Sequence, residues 1–345
     1  MKGERVVWSI CLLHLNELPL RHIVEEVDGA TDSSNTFKGP LGKMLPDVDK
    51  FELKMTFRAV GAAEDAFEVA DKVIDDLSTD QKMLLLACQS VIAGRLKIEL
   101  LSLKPGPICH SRWLTLAIRF LLLWMSKHEL SGKNLSNLKN IVHFIVVSYA
   151  PQWFKIKQEG NLGTASIHLF NQIRILKKLK APILGIAKTN VARNSYFAHS
   201  ELLLLTMLAD KDEEVRAEAV NKIVDIRKGE NFGDKSPRKF KVPRVLFDCK
   251  KYTEMIDWEK EEIMEPRLTS DISTDMLRDF VERPMVLSDF PSHSQGCERA
   301  VKETTKASIS VVGFESRDGH IKTTLVSRQN MSQFVSKKDF SDNFE

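Results

Sequence analysis

Helical spacing of apolar residues over residues 81–230 is the feature that most limits the folds open to this chain. Ser78, followed three positions later by Gln81, predicts a capping box at the start of a helix that Gly94 is placed to end. The same spacing predicts five further helical segments: one from near Ser111 through Trp124, Leu135–Tyr149 before a stop at Pro151, Ala165–Lys180, and the antiparallel pair Ser200–Leu208 and Glu213–Ile226.

The charge of the chain is unevenly distributed. The 345 residues carry a formal net charge of only +3. Residues 81–244, however, hold 27 Lys and Arg against 12 Asp and Glu, whereas residues 1–80 have a net charge of −7 and residues 245–345 a net charge of −5. A basic segment between two acidic ones favours a polyanionic partner for the middle of the chain.

The strongest concentration of positive charge is Gln172–Ser195, which contains no acidic residue. We expect DNA contacts from four of its side chains: Arg174, Lys177, Lys178 and Lys180. The alternative is an ordinary solvated helix face, because a basic block does not by itself name its partner.

The flanking segments predict a different structure. Arg5–Trp8 is strand-like and precedes a predicted helix from Pro19 to Val27, and three β-branched or alternating segments follow near the C-terminus: Val242–Phe247, Ser308–Phe314 and Ile321–Val326. We therefore predict an α/β fold with a large α-helical insertion, mostly helical overall. Its predicted parts are 1–80 (first part of the core), 81–230 (basic helical insertion), 231–244 (linker) and 245–345 (returning core and an irregular tail).

Hydropathy and cysteine content indicate the cellular compartment in which the protein is located. The longest apolar stretch, Leu114–Met125, is too short to span a bilayer and contains Arg119. Met1–Leu13 lacks the features of a secretory signal, and five scattered cysteines are typical of free thiols in a reducing compartment. We expect a protein of the nucleus or cytoplasm that has no membrane segment and is able to form homo-oligomers.

Cys11 and His14 have the spacing of one half of a zinc site, but the other half is missing. Cys109 and His110 are adjacent, and adjacent side chains usually point apart. A buried cysteine with a structural histidine is therefore the favoured interpretation of these pairs.

Two further motifs carry chemistry. Arg112 beside Trp113 suits a phosphate contact next to a base-stacking ring, although helical periodicity alone favours a buried Trp113 and a surface Arg112.

Glu298, in Gln295–Arg299, opens a predicted helix, where the helix dipole is a sufficient structural reason for an acid. A metal-ligating role is the alternative. The chain contains no phosphate-binding loop, serine-hydrolase elbow or zincin motif.

The order of these motifs resembles the RNase H-like core of the hAT superfamily of cut-and-paste DNA transposases. Cys11 to His14 resembles the family's Cys-x-x-His segment, Arg112 and Trp113 resemble its Arg-Trp pair within the helical insertion, and Gln295–Arg299 resembles the segment with the last catalytic acid. The resemblance implies a partial RNase H-like core, a role in DNA binding, and Glu298 as the relic of a site for divalent metal, Mg²⁺ in the complete form.

Both family aspartates precede the Cys-x-x-His segment, whereas no Asp precedes Cys11 here. One carboxylate cannot position two metal ions, so we expect a catalytically incomplete, N-terminally truncated or transposon-derived protein without a cofactor. The alternatives are a helical protein-interaction scaffold without a nucleic-acid role, or an active nuclease in which Asp28 or Asp248 supplies the missing acid.

Overall fold

The structure is a computed structural model that describes residues 11–33, 36–61, 69–75, 77–107, 113–193, 199–229 and 244–287. The chain divides into two compact units, residues 1–294 and 295–345. All described residues belong to the first unit.

Helices dominate the described ranges. They are α1 (Leu12–Val27), α2 (Asp71–Ile74), α3 (Thr79–Ala93), α4 (Trp113–Met125), α5 (Gly132–Phe144), α6 (Ala150–Glu159), α7 (Ala165–Leu176), α8 (Ile183–Arg193), α9 (Ser200–Leu208), α10 (Glu213–Lys228) and α11 (Thr274–Glu282). The 3-10 segments in these ranges are Gly42–Lys50, Ile98–Ser102, Leu162–Thr164 and Tyr252–Glu254. The strands β1 (Thr31–Ser33) and β2 (Thr36–Phe37) form one antiparallel pair.

The ends of α3 confirm the predicted signals. The capping box is present, with the Ser78 backbone N–H donating to Gln81 Oε1 at 3.2 Å. Gly94 ends the helix in the left-handed conformation at φ 66°. A Cβ at this position would lie 3.0 Å from the Phe57 carbonyl oxygen, so both conformation and space favour glycine.

The predicted stop at Pro151 is wrong. The helical path continues from α5 through a π-helical turn, Ile145–Tyr149, directly into α6. The Ala150 N–H donates to the Ile145 carbonyl, five residues back, and Pro151 falls in the first turn of α6, where its missing N–H is tolerated. The register shift thus accommodates the proline within a long helical path.

The helical pair near residue 210 follows the prediction closely. α9 matches Ser200–Leu208, and α10 runs from Glu213 to Lys228, two residues beyond the predicted end. Asp212 caps α10 by accepting from the Glu214 N–H at 3.0 Å. Arg216, buried in this hairpin, donates to the carbonyl oxygens of Val281 and Lys211, which ties α11 to the turn between the two helices.

The hydrophobic core surrounds α4, whose residues are almost all buried. Within it, Arg119 is 6% exposed and donates to the carbonyl oxygens of Leu45 at 2.8 Å and Gly106 at 2.9 Å. Asn16 on α1 donates to the Tyr149 carbonyl at 2.9 Å. These bonds satisfy buried or half-buried backbone oxygens, and the bonds that involve Leu45 and Asn16 attach residues 12–50 to the helices that follow.

The chain is mostly helical, as predicted, but the described residues do not fit an RNase H-like α/β core. Such a core needs a central sheet, and outside the β1–β2 pair the described ranges contain three isolated bridges, one of them between Val245 and Ile256. The predicted helix at Pro19 begins earlier, at Leu12, because apolar residues keep a helical period upstream of the proline. Three of the predicted strands lie outside the described residues: Arg5–Trp8, Ser308–Phe314 and Ile321–Val326.

A single hydrophobic cluster includes residues from three of the four predicted parts, 1–80, 81–230 and 245–345, for example Leu20, Phe120 and Met255. The predicted domain boundaries stay predictions. Across the described ranges, every helix is too short or too polar to cross a membrane. Of the five cysteines, Cys11, Cys88 and Cys249 are described, and each is a free thiol.

Candidate nucleic-acid interface

α6 and α7 form a short helical hairpin with a well-defined turn. The turn at residues 160–164 is closed by a reciprocal pair of hydrogen bonds, from the Thr164 N–H to Asn161 Oδ1 at 3.1 Å and from the Asn161 N–H to Thr164 Oγ1 at 3.2 Å. Gln152 on α6 also donates to the carbonyl oxygen of His168 on α7 at 2.9 Å. These bonds hold the two helices side by side and fix the groove between them.

The groove between α6 and α7 is the feature that best fits a polyanion. It is an open depression of about 450 Å³. We call it the basic groove, and its lining residues are Pro151, Gln152, Phe154, Lys155, Gln158, Asn171, Arg174, Ile175 and Lys178. Three of these are cations and, among the described lining residues, none is acidic.

The cations come from both walls. Lys155 lies on α6, whereas Arg174 and Lys178 belong to α7 and the residues just after it; all three are exposed. The Arg174 guanidinium lies 5.8 Å from the centre of the Phe170 ring, one helical turn earlier. A cation held over an aromatic ring keeps its charge and its free donors available to a phosphate.

The sequence around the basic groove also carries a net positive charge. Residues 150–193 contain eight Lys and Arg against one acid, Glu159. Lys177 and Lys180, both predicted DNA contacts, are exposed but do not line the basic groove. Lys188 lies over the Phe247 ring at 4.7 Å, so this cation contacts the segment that follows residue 243.

Only some of the predicted DNA-contact residues therefore lie together in the structure. Arg174 and Lys178 come together in the basic groove, but Lys155 was missed, because it lies on a different helix and outside the acid-free run. Its signal was the short connection between residues 159 and 165, which predicts two adjacent antiparallel helices. On that hairpin, cations from both helices can line one groove.

Trp113 does not have the predicted exposed ring. It is 8% exposed at the start of α4 and belongs to the hydrophobic core, as helical periodicity favoured. A base can stack only on an accessible ring face, so the burial of Trp113 does not fit the prediction that its ring contacts DNA. Arg112 and Glu298 lie outside the described residues.

Cys11 and His14 lie at the start of α1, where Cys11 is half-buried and the His14 imidazole is half-exposed. His14 Nδ1 is 3.9 Å from a Glu17 carboxylate oxygen. In the described part of the chain, no group of three or more His, Cys, Asp or Glu side chains has a metal-binding arrangement. The described residues therefore supply no further ligand for the zinc site predicted at Cys11 and His14.

Asp28, one candidate for a missing catalytic acid, has a structural role. Its carboxylate accepts from the backbone N–H groups of Leu41 at 2.9 Å and Gly42 at 2.8 Å, at the start of the 3-10 segment Gly42–Lys50. Burial raises the pKa of this carboxyl, and the two N–H donors partly oppose that rise. Asp248 is exposed beside the buried Cys249.

Comparison with protein families, curated proteins and solved structures finds no match for this chain. The hAT resemblance therefore rests on the sequence motifs alone.

Proposed function

We propose that this protein binds DNA through the basic groove and does not cut it. The observation that carries the proposal is the groove itself, in which Lys155, Arg174 and Lys178 converge with no acid among the described lining residues. Each cation is able to neutralise a phosphate, and an arginine can hold two phosphate oxygens at once. Contacts of this kind position a nucleic acid and are largely independent of its sequence.

An origin from a hAT-like transposase and a nuclear location belong to the same proposal. Their support is the order of three motifs in the sequence: Cys11 to His14, Arg112–Trp113 and Gln295–Arg299. That the chain does not cut DNA is part of the same proposal, because Glu298 is the one acid that the resemblance assigns to the metal site, and one carboxylate cannot position two metal ions. Mg²⁺ is proposed only for a form of the site in which the family's two Asp partners accompany this Glu.

The test is duplex-DNA binding by the full chain, measured by fluorescence anisotropy. In the groove variant, Lys155→Gln, Arg174→Gln and Lys178→Gln are combined. The matched control combines Lys43→Gln, Lys133→Gln and Lys211→Gln, three exposed cations outside the basic groove. Both variants lose three positive charges, so they have the same net charge.

We expect the groove variant to bind DNA roughly 10- to 100-fold more weakly at moderate salt, with the control within about threefold of the parent chain. Circular dichroism should show the same helical content in all three proteins, because every substituted residue is exposed. Equal losses in the two variants would show that net charge, rather than the basic groove, governs binding, and would refute the proposal.

A second candidate is a helical protein-interaction scaffold. It is favoured by the burial of Trp113 and by exposed apolar side chains on neighbouring segments, Met55 at 54% and Ile98 at 68%. The two segments are joined by a hydrogen bond from the Leu96 N–H to the Met55 carbonyl at 3.0 Å. If the parent chain shows no salt-sensitive DNA binding, the scaffold becomes the preferred function.

A further inference from the structure

A second open cavity, far larger than the basic groove, lies between the residues that follow the 3-10 segment Gly42–Lys50, the C-terminal end of α4 and the N-terminal end of α5. Its volume is about 850 Å³, and no residue of the basic groove lines it. We call it the aromatic cavity. The residues that matter for its chemistry are Lys54, Phe57, Arg58, Trp124 and Lys139. The size is within the range of small-molecule sites.

One wall of the aromatic cavity is an extended segment held on both sides by backbone hydrogen bonds. The Lys54 N–H donates to the Met125 carbonyl at 2.8 Å, and the Phe57 N–H donates to the Gly94 carbonyl at 3.0 Å. Since both neighbours belong to the ends of long helices, α4 and α3, the segment from Lys54 to Arg58 is fixed in place rather than free to collapse into the cavity.

The aromatic side chains of this wall are also positioned. The Trp124 indole N–H donates to the Arg58 carbonyl at 3.0 Å, which fixes the orientation of the ring. Trp124 and Phe57 are both half-buried, so each is anchored in the protein and retains accessible surface. Anchored aromatic rings in an open cavity suit the stacking of a planar group such as a nucleobase.

The charged residues of the cavity favour an anion beside that planar group. Lys54, Arg58 and Lys139 are exposed and line it, against one acid among its described lining residues, Glu129. His128, which also lines the cavity, stacks on Phe51 with ring centres 5.0 Å apart. The described ionised side chains therefore give a net charge of +2 when His128 is neutral.

The start of α5 adds backbone donors at the same place. Ser131, the N-cap residue, and Gly132 both line the cavity. The Ser131 side chain makes no capping hydrogen bond, and the first turn contains no acidic residue. The positive end of the helix dipole thus reinforces the three cations, in an arrangement that favours phosphate.

We propose that the aromatic cavity binds a nucleoside phosphate, with its base against Trp124 and Phe57 and its phosphate near Lys54, Arg58, Lys139 and the start of α5. The proposal does not rest on DNA binding by the basic groove, because the two sites share no lining residue. The same chemistry is offered by a free nucleotide and by an unpaired nucleotide of a single strand, and the experiment separates these sources.

The test uses the full chain and isothermal titration calorimetry with four probes: ATP, adenosine, tripolyphosphate and a short single-stranded oligonucleotide. We expect saturable ATP binding, with adenosine and tripolyphosphate each at least about tenfold weaker, because each supplies only half of the recognised chemistry. Competition assigns the source: displacement of ATP by the oligonucleotide means that a strand can occupy the cavity, and its failure to compete means that free nucleotide is the ligand.

The matched pair of variants is Lys139→Gln and Lys133→Gln. Both residues are exposed cations on α5, but only Lys139 lines the aromatic cavity. We expect Lys139→Gln to weaken ATP binding by about fivefold or more and Lys133→Gln to leave it unchanged. Phe57→Leu should weaken ATP binding while leaving the weaker tripolyphosphate binding as it was, which isolates the stacking contribution.

Three results would overturn the proposal: no saturable binding of ATP or the oligonucleotide, tripolyphosphate binding as tight as ATP, or equal effects of the two lysine substitutions. The groove variant, which combines Lys155→Gln, Arg174→Gln and Lys178→Gln, is expected to bind ATP normally. It thereby distinguishes failure of this proposal from failure of the DNA-binding proposal.

Discussion

His199 makes the stability of the fold sensitive to acid, and the size of the effect can be worked out. The side chain is 2% exposed and forms the N-cap of α9, where its Nδ1 accepts from the Glu201 N–H at 3.2 Å. Burial lowers the pKa of His199 from 6.5 to about 4. An accepting Nδ1 must be unprotonated, and a positive charge at a helix N-terminus is unfavourable, so the geometry agrees with the direction of this shift.

The sign of the pH dependence follows from the lowered pKa. Above about pH 6.5 His199 is neutral in both the folded and the unfolded chain, and its contribution to stability is fully present. Between that pH and about 4 only the unfolded chain takes up the proton, so the free energy of unfolding falls with pH. At 1.36 kcal/mol per pKa unit, the loss is about 2 kcal/mol by pH 5 and about 3 kcal/mol by pH 4.

The assay is urea unfolding of the parent chain and of His199→Asn at a series of pH values. Asparagine keeps an acceptor for the Glu201 N–H but does not titrate in this range. Burial raises the pKa of Glu201, a contribution of opposite sign, but it is common to both proteins and largely cancels in their difference. We expect that difference to shift by about 3 kcal/mol against the parent chain between neutral pH and pH 4, whereas a pH-independent difference would refute the reasoning.

Three further substitutions test individual parts of the fold by urea unfolding. Arg119→Met leaves the buried Leu45 carbonyl and the half-buried Gly106 carbonyl without the Arg119 donor and should cost about 2–4 kcal/mol; a cost below about 1 kcal/mol would contradict the role given to Arg119. Tyr149→Phe removes a fully buried hydroxyl that has no hydrogen-bond partner among the described residues, so stability should stay within about 1 kcal/mol or rise, and a larger loss would reveal a partner. Gly94→Ala should cost about 1–2 kcal/mol because alanine is strained at φ 66° and meets the Phe57 carbonyl; an unchanged midpoint would count against that strain.

Local signals explain what could be predicted from the sequence. Ser78 and Gln81 cap α3, Gly94 ends it, and Asp212 precedes α10, because caps and left-handed glycines act within a few residues of themselves. Helical periodicity also favoured the burial of Trp113. Pro151 misled the prediction, since the π-helical turn before it admits a proline that an uninterrupted α-helix would exclude.

Contacts between side chains on different structural elements could not be predicted from the sequence in the same way. The short connection between residues 159 and 165 indicates that α6 and α7 are adjacent, but it does not specify that Lys155 and Arg174 line the same groove. The aromatic cavity needs Lys54 beside Met125 through a backbone hydrogen bond between residues far apart in the sequence. No periodicity signals such contacts. The predicted RNase H-like core came from the order of short motifs, which does not specify a sheet, and residues 11–75 fold as helices, the short β1–β2 pair and irregular segments where they are described.

The salt dependence of DNA affinity tests DNA binding by the basic groove most directly. Each phosphate contact contributes about 0.9 to the slope of log affinity against log salt concentration, so losing the three cations Lys155, Arg174 and Lys178 should reduce that slope by up to about 2.7. The control substitutions at Lys43, Lys133 and Lys211 should leave the slope close to that of the parent chain. A parent affinity that does not change with salt, or equal reductions in the two variants, would contradict DNA binding through the basic groove.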